Sequence, residues 1–224
     1  MAFVIDTETS GLPARRNADP KQIKYFEKCR MVSICWIVLD KENNIQKKVH
    51  HIIKPEGFVI PQEVINIHGI TNEKAAISGI PIEFVATALL DDLNQFKPTR
   101  LVAHNIKFDY AVIMSELYRL TTMATSQVLT NIFISLKKKC TMEAGTPICA
   151  IPSPWGKDKF KYPSLKELHD HLYPGTDMVV KHDALYDTEK CVECYLKIKS
   201  IGNNDKVNEK ETKQQVLLSK TGPV

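Results

Sequence analysis

Several features that would place this chain of 224 residues in other protein classes are missing. Its apolar runs fall well short of the roughly 20 residues that a membrane-spanning helix needs. The N-terminus lacks the basic and then apolar layout of a secretory signal, and there is no Asn-x-Ser/Thr acceptor for glycosylation. We therefore expect a soluble intracellular protein, cytoplasmic by default with the nucleus still open, that does not bind membranes.

Nucleotide-binding and zinc-binding signatures are also scarce. The sequence contains no Walker loop, no Gly-x-Gly-x-x-Gly stretch and no internal repeat. Cys191 and Cys194 form a lone Cys-x-x-Cys pair, because no second pair of cysteines or histidines accompanies it. We expect the six cysteines to be reduced thiols in apolar or helical surroundings rather than zinc ligands or disulfides.

The composition suits one globular domain with a sizeable core. Hydrophobic residues make up 43% of the chain and charged residues 25%, and the formal net charge is +4. This mild basic bias is compatible with a polyanionic partner. We predict a domain over residues 1–202, followed by a polar and flexible tail over 203–224 that is rich in lysine.

The hydrophobic pattern predicts an α/β domain with a mixed sheet. Strands are predicted at residues 2–8, 31–40, 45–55 and 100–105. Helices are predicted after Pro61 and at 81–96, 108–120, 129–136, 164–173 and 184–200. The helix at 164–173 begins with Ser164 and has Glu167 three residues later, which is the pattern of a capping box.

Four acidic residues stand out against this framework. Asp6 and Glu8 end the first strand and, being two residues apart, project from the same face. Asp109 opens a helix, and Asp187 lies on the apolar face of the last helix, where a carboxylate is costly unless it is paired or binds a metal. Each acid alone has a simpler explanation as a turn residue or helix cap. Together they favour hard divalent cations, two of which can clamp a phosphodiester during hydrolysis.

Three segments carry a resemblance to a known family. DTETSGL (6–12), LVAHNIKFDY (101–110) and HDALYD (182–187) resemble, in order and spacing, the three motifs of the DEDDh (DnaQ-like) 3′–5′ exonucleases. That family includes the proofreading subunit of bacterial replicative DNA polymerase and ribonuclease T. The resemblance covers about residues 2–200 and includes IHGIT (67–71). It implies a ribonuclease-H-like fold, with a mixed five-stranded sheet flanked by helices.

The resemblance also implies a role for each motif residue. Asp6 is expected to bridge two divalent cations, Mg²⁺ or Mn²⁺, while Glu8 and Asp187 each bind one and Asp109 acts largely through water. His182 corresponds to the general base, and a neutral imidazole suits that role near physiological pH. A sister subfamily uses a tyrosine four residues before its last aspartate, but that position here is Asp183. The chain therefore fits the histidine class.

Contacts to the substrate are expected from residues around these motifs. They are Thr7, Thr9, Leu12, His68, Asn105 and Phe108. Leu12 resembles the apolar wedge that family members place against the terminal base, although ordinary packing explains it equally well. A positively charged path for the single-stranded nucleic acid is expected from Arg15, Arg16 and residues 137–139. The alternative is that these are solvated surface charges that take no part in binding.

The resulting expectation is a metal-dependent 3′–5′ exonuclease that acts on single-stranded ends and releases nucleoside 5′-monophosphates. One hypothesis is that the enzyme acts on DNA, either in proofreading, with a separate polymerase as its partner, or in end trimming. RNA 3′-end trimming or oligoribonuclease activity is the alternative, and a non-catalytic binding module is a third. The long segments 13–30 and 141–163 are expected either to narrow the site or to dock a partner.

Overall fold

A mixed five-stranded sheet forms the centre of the molecule. The computed structural model describes residues 1–120, 123–154, 156 and 159–220, with side chains described as far as residue 202. The strands are β1 (Ala2–Thr9), β2 (Met31–Leu39), β3 (Ile45–Ile52), β4 (Arg100–Ala103) and β5 (Lys137–Cys140), in the order β3-β2-β1-β4-β5. Pairing is antiparallel from β1 through β2 to β3, and parallel from β1 through β4 to β5. The predicted ribonuclease-H-like α/β fold is confirmed.

Helices flank this sheet. They are α1 (Gln62–His68), α2 (Asn72–Ser78), α3 (Ile82–Phe96), α4 (Ile106–Arg119), α5 (Ala124–Ser135), α6 (Thr141–Cys149), α7 (Leu165–Leu172) and α8 (Ala184–Lys220), with a short 3₁₀ helix at Ile23–Tyr25. The predicted capping box is present at the start of α7, where the side chain of Ser164 and that of Glu167 satisfy each other's backbone N–H groups.

Alternation along β1 divides its side chains between two cores. Phe3 and Ile5 are fully buried in the larger core, which lies against α3, α4 and α5. Ala2 and Val4 point to the opposite face, where they pack against Cys191 and other buried residues of α8. Asp6 and Glu8 continue this second row, and Thr7 continues the first. Because side chains alternate between the two faces of the sheet, this alternation determines which helix each polar residue at the end of β1 can contact.

Three elements were not predicted, namely α2, α6 and β5. The last of these is the clearest case, because residues 137–139 are all lysine and carry no hydrophobic alternation. Charged side chains are typical of an edge strand, where they discourage pairing with other chains. Lys138 donates to the carbonyl oxygens of Phe133 and Ile134 at the end of α5 and lies over the ring of Tyr110. Its ammonium group therefore stabilises a helix end.

One histidine is buried although it lies on a helix rich in polar residues. His169 of α7 is 3% exposed, and its Nε2 lies 2.7 Å from the Glu193 carboxylate on α8. The reason is that α7 packs against both α6 and α8, so its buried face is wider than the positions of Leu168 and Leu172 alone indicate. Local periodicity does not reveal how many neighbours a helix has.

The end of the chain and the cysteines complete the description. Helix α8 runs through most of the segment that was expected to form a tail, and residues 221–224 lie outside the described residues. The division at residue 202 stays a prediction. All six cysteines are free thiols, as expected. In the described part of the chain, no helix combines the length and the apolar character needed to cross a membrane.

Candidate active site

Three carboxylates from two distant segments meet beside the end of β1. Asp6 and Glu8 face α8, and Asp187 lies in the first turn of that helix. One oxygen from each of the three side chains can be chosen so that all lie within 4.8 Å of one another. All three side chains are partly buried. The predicted convergence of the first and third motifs is therefore present in the structure.

The fourth acid approaches β1 from the opposite face. Asp109, in the first turn of α4, is only 2% exposed. Its Oδ1 accepts hydrogen bonds from the backbone N–H of Thr7 at 3.0 Å and from the Thr7 hydroxyl at 2.9 Å. These bonds join residues 102 positions apart and fix Asp109 against the strand that carries Asp6. They also occupy both hydrogen-bond donors of Thr7, namely its backbone N–H and its hydroxyl. The expected contact of Thr7 with the nucleotide stays a prediction.

Two residues that border the carboxylates have left-handed backbone conformations. Asn105, which precedes α4, has φ 68° and ψ 51°, and asparagine tolerates this region better than most side chains. His182, just before α8, has φ 48° and is exposed. Non-glycine residues in this conformation are uncommon, and such outliers cluster at functional sites. Both residues are at positions that the motifs single out.

A cavity of about 550 Å³ collects most of the predicted site residues. Its lining includes all five residues assigned to the catalytic set, together with three of the expected substrate contacts. These eight residues are Asp6, Glu8, Asp109, His182, Asp187, Thr7, Asn105 and Phe108. One concave site that brings together several titratable groups is the usual form of an active centre.

Three of the expected substrate contacts lie outside the lining of this cavity. The β1–β2 pairing shifts by one residue between Glu8 and Thr9, and the Thr9 hydroxyl donates to the carbonyl oxygen of Gly11. Leu12 is 75% exposed, as an apolar wedge would be before substrate binds. His68 is half-buried, with its Nδ1 accepting from the Ile70 N–H. Their contacts with a nucleotide stay predictions.

The loop that carries Leu12 is tied to the rest of the domain. The guanidinium group of Arg30 makes two hydrogen bonds to the carboxylate of Glu116 on α4, at 2.8 and 3.1 Å. The Ser10 hydroxyl donates to the carbonyl oxygen of Lys28, and its backbone N–H donates to that of Arg30. Segment 13–30 is therefore anchored at the point where it returns to the sheet.

Sequence reasoning missed part of the cavity wall. His104 was not singled out within the second motif, and residues 161–163 were noticed only as part of a long segment. In the structure, Met142, Lys161, Tyr162, Pro163 and Leu165 line the side of the cavity that faces away from the first motif. The length and the aromatic and basic composition of segment 141–163 were the available signal, but they did not indicate which of its residues reach the cavity.

Crowding of the carboxylates raises their pKa values. Burial is the main cause for Asp6, whose pKa lies well above its ordinary value, and the charges of Asp109, Glu8 and Asp187 raise it further. Burial followed by the charge of Asp187 raises the pKa of Glu8 from 4.5 to about 8. Burial raises the pKa of Asp187 to about 6, although the nearby His182 lowers it. The site thus disfavours negative charge unless a cation is present.

The donor set fits a divalent cation. Within the part of the chain that the structure describes, no lysine or arginine lies within ion-pair distance of these four carboxylates. Carboxylate oxygens without thiolates are the ligands that Mg²⁺ and Mn²⁺ prefer. A bound divalent cation would neutralise the repulsion among these four carboxylates.

Metal-free protein is therefore expected to lose stability as the pH rises. Because the pKa of Glu8 is higher in the folded state than its ordinary value of 4.5, the folded state binds more protons between pH 4.5 and about 8. Stability is greatest below that window and falls through it, by on the order of 2–4 kcal/mol between pH 5 and 8. Thermal unfolding in EDTA checks this, and Glu8→Gln should have the flatter profile.

Two comparisons make this test sharper. The exposed Glu63 on α1 is remote from the cavity, so Glu63→Gln should keep the wild-type pH profile. Mn²⁺ should raise the midpoint of wild-type unfolding more at pH 8 than at pH 5, because protons and the cation compete for the same oxygens. Identical pH profiles for wild type and Glu8→Gln would contradict the proposed crowding of charge.

Comparisons with known proteins give a consistent result. A family model for exonucleases of the RNase T type matches residues 3–195. No curated protein sequence gives a significant match. Among solved structures, Escherichia coli exonuclease I in complex with a dT13 oligonucleotide is similar, with 18% identity, a TM-score of 0.59 and coverage of 88% of this chain and 40% of that chain.

Two further solved structures give similar values. A structure of exonuclease I that suggests how that enzyme achieves processivity has 17% identity and a TM-score of 0.64. The match covers 89% of this chain and 40% of that chain. A moderately thermophilic exonuclease I from Methylocaldum szegediense has 18% identity and a TM-score of 0.56 over 88% and 39%. At this identity the likeness shows the fold, and the chain spans about two fifths of the length of these enzymes.

Proposed function

Because the chain belongs to the DEDDh-type 3′–5′ exonuclease family, we propose that it removes nucleotides from the 3′ ends of single-stranded DNA and releases nucleoside 5′-monophosphates. The observation that supports this most directly is the convergence of Asp6, Glu8 and Asp187 within 4.8 Å, beside Asp109 and His182 in one cavity. These are the five residues that the family motifs require.

The carboxylates supply the binding site for divalent cations. We assign Asp6, Glu8 and Asp187 as direct ligands, because their oxygens converge, and Asp109 as an acid held close by Thr7. Two ions of Mg²⁺ or Mn²⁺, when bound, would acidify water and neutralise charge on the phosphoryl and leaving-group oxygens. The raised pKa values of Asp6 and Glu8 indicate that negative charge at this site is unfavourable unless a cation neutralises it.

We assign His182 as the general base. Its imidazole lines the cavity and is exposed, so it can exchange protons with solvent after each turnover. In the proposed reaction, a ring nitrogen accepts a proton from the attacking water, and the 3′ oxygen of the preceding nucleotide departs.

Single-stranded DNA is the favoured substrate. The similar Escherichia coli enzyme was solved in complex with dT13 and with dA16, which are single-stranded DNA oligonucleotides. Recognition of a 2′-hydroxyl depends on individual contacts, and RNA remains the alternative that an experiment must address. A proofreading role with a separate polymerase stays a prediction.

The polarity and products of degradation test the proposal. With Mn²⁺, an oligonucleotide labelled at its 5′ end should give a ladder that shortens one nucleotide at a time, whereas a 3′ label should appear at once as mononucleotide. Matched DNA, RNA and duplex substrates should be compared in the same assay, with EDTA as the control that stops the reaction. Release of the 5′ label first, or internal cleavage, would contradict the proposed polarity. Faster degradation of RNA would move the assignment to an exoribonuclease.

A further inference from the structure

The carboxylates lie at one end of the sheet, and different segments of the chain border them on either side. They sit at the end of β1, the central strand, with β2 and β3 on one side and β4 and β5 on the other. Leu12 and His68 belong to the first side. The loop of Leu12 is bonded to Arg30, just before β2, and Ile70, two residues after His68, packs against Val32 of β2. The family resemblance of Leu12 to a wedge against the terminal base implies that the terminal nucleotide lies on this side.

The opposite side has a wall built from other segments. His104 and Asn105 follow β4, Met142 follows β5, and Lys161 and Tyr162 come from the loop between α6 and α7. A strand whose terminal phosphodiester lies at the carboxylates and whose last nucleotide lies towards β2 must continue in the direction of this wall. The wall therefore meets the nucleotide that precedes the terminal one.

His104 holds this wall against the sheet. Its Nε2 lies 3.1 Å from the carbonyl oxygen of Pro163, and its Nδ1 lies 3.0 Å from the Thr141 hydroxyl. Since a carbonyl oxygen only accepts, Nε2 carries the proton and Nδ1 accepts from the hydroxyl group. Burial lowers the pKa of His104 to about 4, so the ring stays neutral under physiological conditions. Pro163 is itself buried, and this fixes the backbone next to Tyr162.

The side chains on the wall have the chemistry that a nucleotide strand requires. Tyr162 is 55% exposed and lines the cavity, so about half of its surface is accessible to a base or sugar. Lys161 lies beside it, with its Nζ 2.5 Å from Oε1 of Glu167. That pair is partly exposed and contributes little to stability, so a phosphate can compete for the ammonium group. An aromatic surface next to a cation is the usual platform for single-stranded nucleic acid.

We propose that Tyr162 stacks against the nucleotide preceding the terminal one and that Lys161 binds its backbone phosphate. This inference rests on the proposed exonuclease function and adds a second nucleotide subsite to it. Lys161 and Tyr162 then set the preference for oligonucleotides over substrates that contain a single nucleotide. They lie outside the three motifs, on the segment 141–163 that lengthens this chain.

Two substrates separate this subsite from the chemistry. Thymidine 5′-monophosphate p-nitrophenyl ester offers a scissile phosphodiester and one nucleotide but has no preceding nucleotide, whereas a dT10 oligonucleotide has both. Tyr162→Ala and Lys161→Ala should each lower kcat/KM for dT10 by roughly 10- to 100-fold, mainly through KM. Both variants should hydrolyse the ester within about twofold of wild type, and Tyr162→Phe should retain wild-type use of dT10, because the ring is kept.

Neighbouring side chains on the same loop provide matched controls. Phe160 and Lys159 are exposed and do not line the cavity, so Phe160→Ala and Lys159→Ala should leave both substrates unaffected. Unchanged use of dT10 by both wall variants would overturn the inference. Equal losses on the ester and on dT10 would also overturn it, because the residues would then support the site as a whole. A wild-type protein that hydrolyses neither substrate would instead refute the proposed function.

Discussion

Replacing Asp6 with asparagine is expected to lower kcat/KM for hydrolysis of a single-stranded oligonucleotide by on the order of 10³-fold or more. Asparagine keeps the size of the side chain but removes a charge that interacts with those of Asp109, Glu8 and Asp187. Because Asp6 belongs to the converging cluster and is proposed to bridge both cations, its loss should weaken cation binding and charge stabilisation together. Steady-state rates in Mn²⁺ measure this effect.

Asp183→Asn is the matched control for this change. Asp183 also contributes to the electrostatic potential at Asp6, but it lies outside the converging cluster, and its Oδ1 accepts from the Tyr186 N–H. Asparagine preserves that acceptor, so activity should stay within a few fold of wild type. Stabilisation by Mn²⁺ in thermal unfolding should be lost in Asp6→Asn and kept in Asp183→Asn. Full activity of Asp6→Asn would remove the basis for the proposed cation site.

Replacing His182 with asparagine is expected to lower kcat by roughly 10²–10⁴-fold, the usual contribution of a general base. Asparagine is chosen because His182 has φ 48°, and asparagine tolerates this backbone region better than alanine does. The exposed position of the side chain means that the change should not affect folding. KM should change little, because the residue is proposed to act in the chemical step rather than in binding.

Two measurements distinguish a base from a general effect on the site. His182→Asn should still be stabilised by Mn²⁺, since the converging carboxylates are intact. Tyr186→Phe tests the competing tyrosine mechanism, and it should be nearly as active as wild type, because its ring lies between Lys181 and Lys190 and is retained. Equal turnover by wild type and His182→Asn, or a large loss in Tyr186→Phe alone, would transfer the role of base to another group.

Prediction of the fold from the sequence succeeded where hydrophobic patterns are strong. The apolar run at residues 31–40 predicted strand β2, and the helical spacing of apolar residues from Pro81 predicted helix α3. The capping box predicted the start of α7. The lysine strand β5 was missed because an edge strand gains its stability from pairing with β4 rather than from buried side chains of its own. Helix α6 was missed because Pro147 interrupts its pattern.

The motifs indicated which acids and which histidine come together but not what surrounds them, and the roles of these residues stay predictions. Asp6, Glu8, Asp109, Asp187 and His182 line the same cavity, as the order of the motifs indicated. Segment 141–163 was expected either to narrow the site or to dock a partner, but the sequence did not indicate that residues 161–163 reach the cavity, where the His104 ring bonds to the Pro163 carbonyl oxygen. A contact across 59 positions leaves no periodic trace in the sequence.

The sequence by itself determined which residues share a face. Backbone geometry repeats every two residues in a strand and every 3.6 in a helix, so the pairing of Asp6 with Glu8 and the inward position of Asp187 follow from spacing alone. Only the tertiary structure decided which faces meet. The bond between Thr7 and Asp109, the approach of α8 to β1 and the burial of His169 result from packing between segments far apart in the chain. That packing depends on the shapes and combined burial of many side chains, which no local pattern encodes.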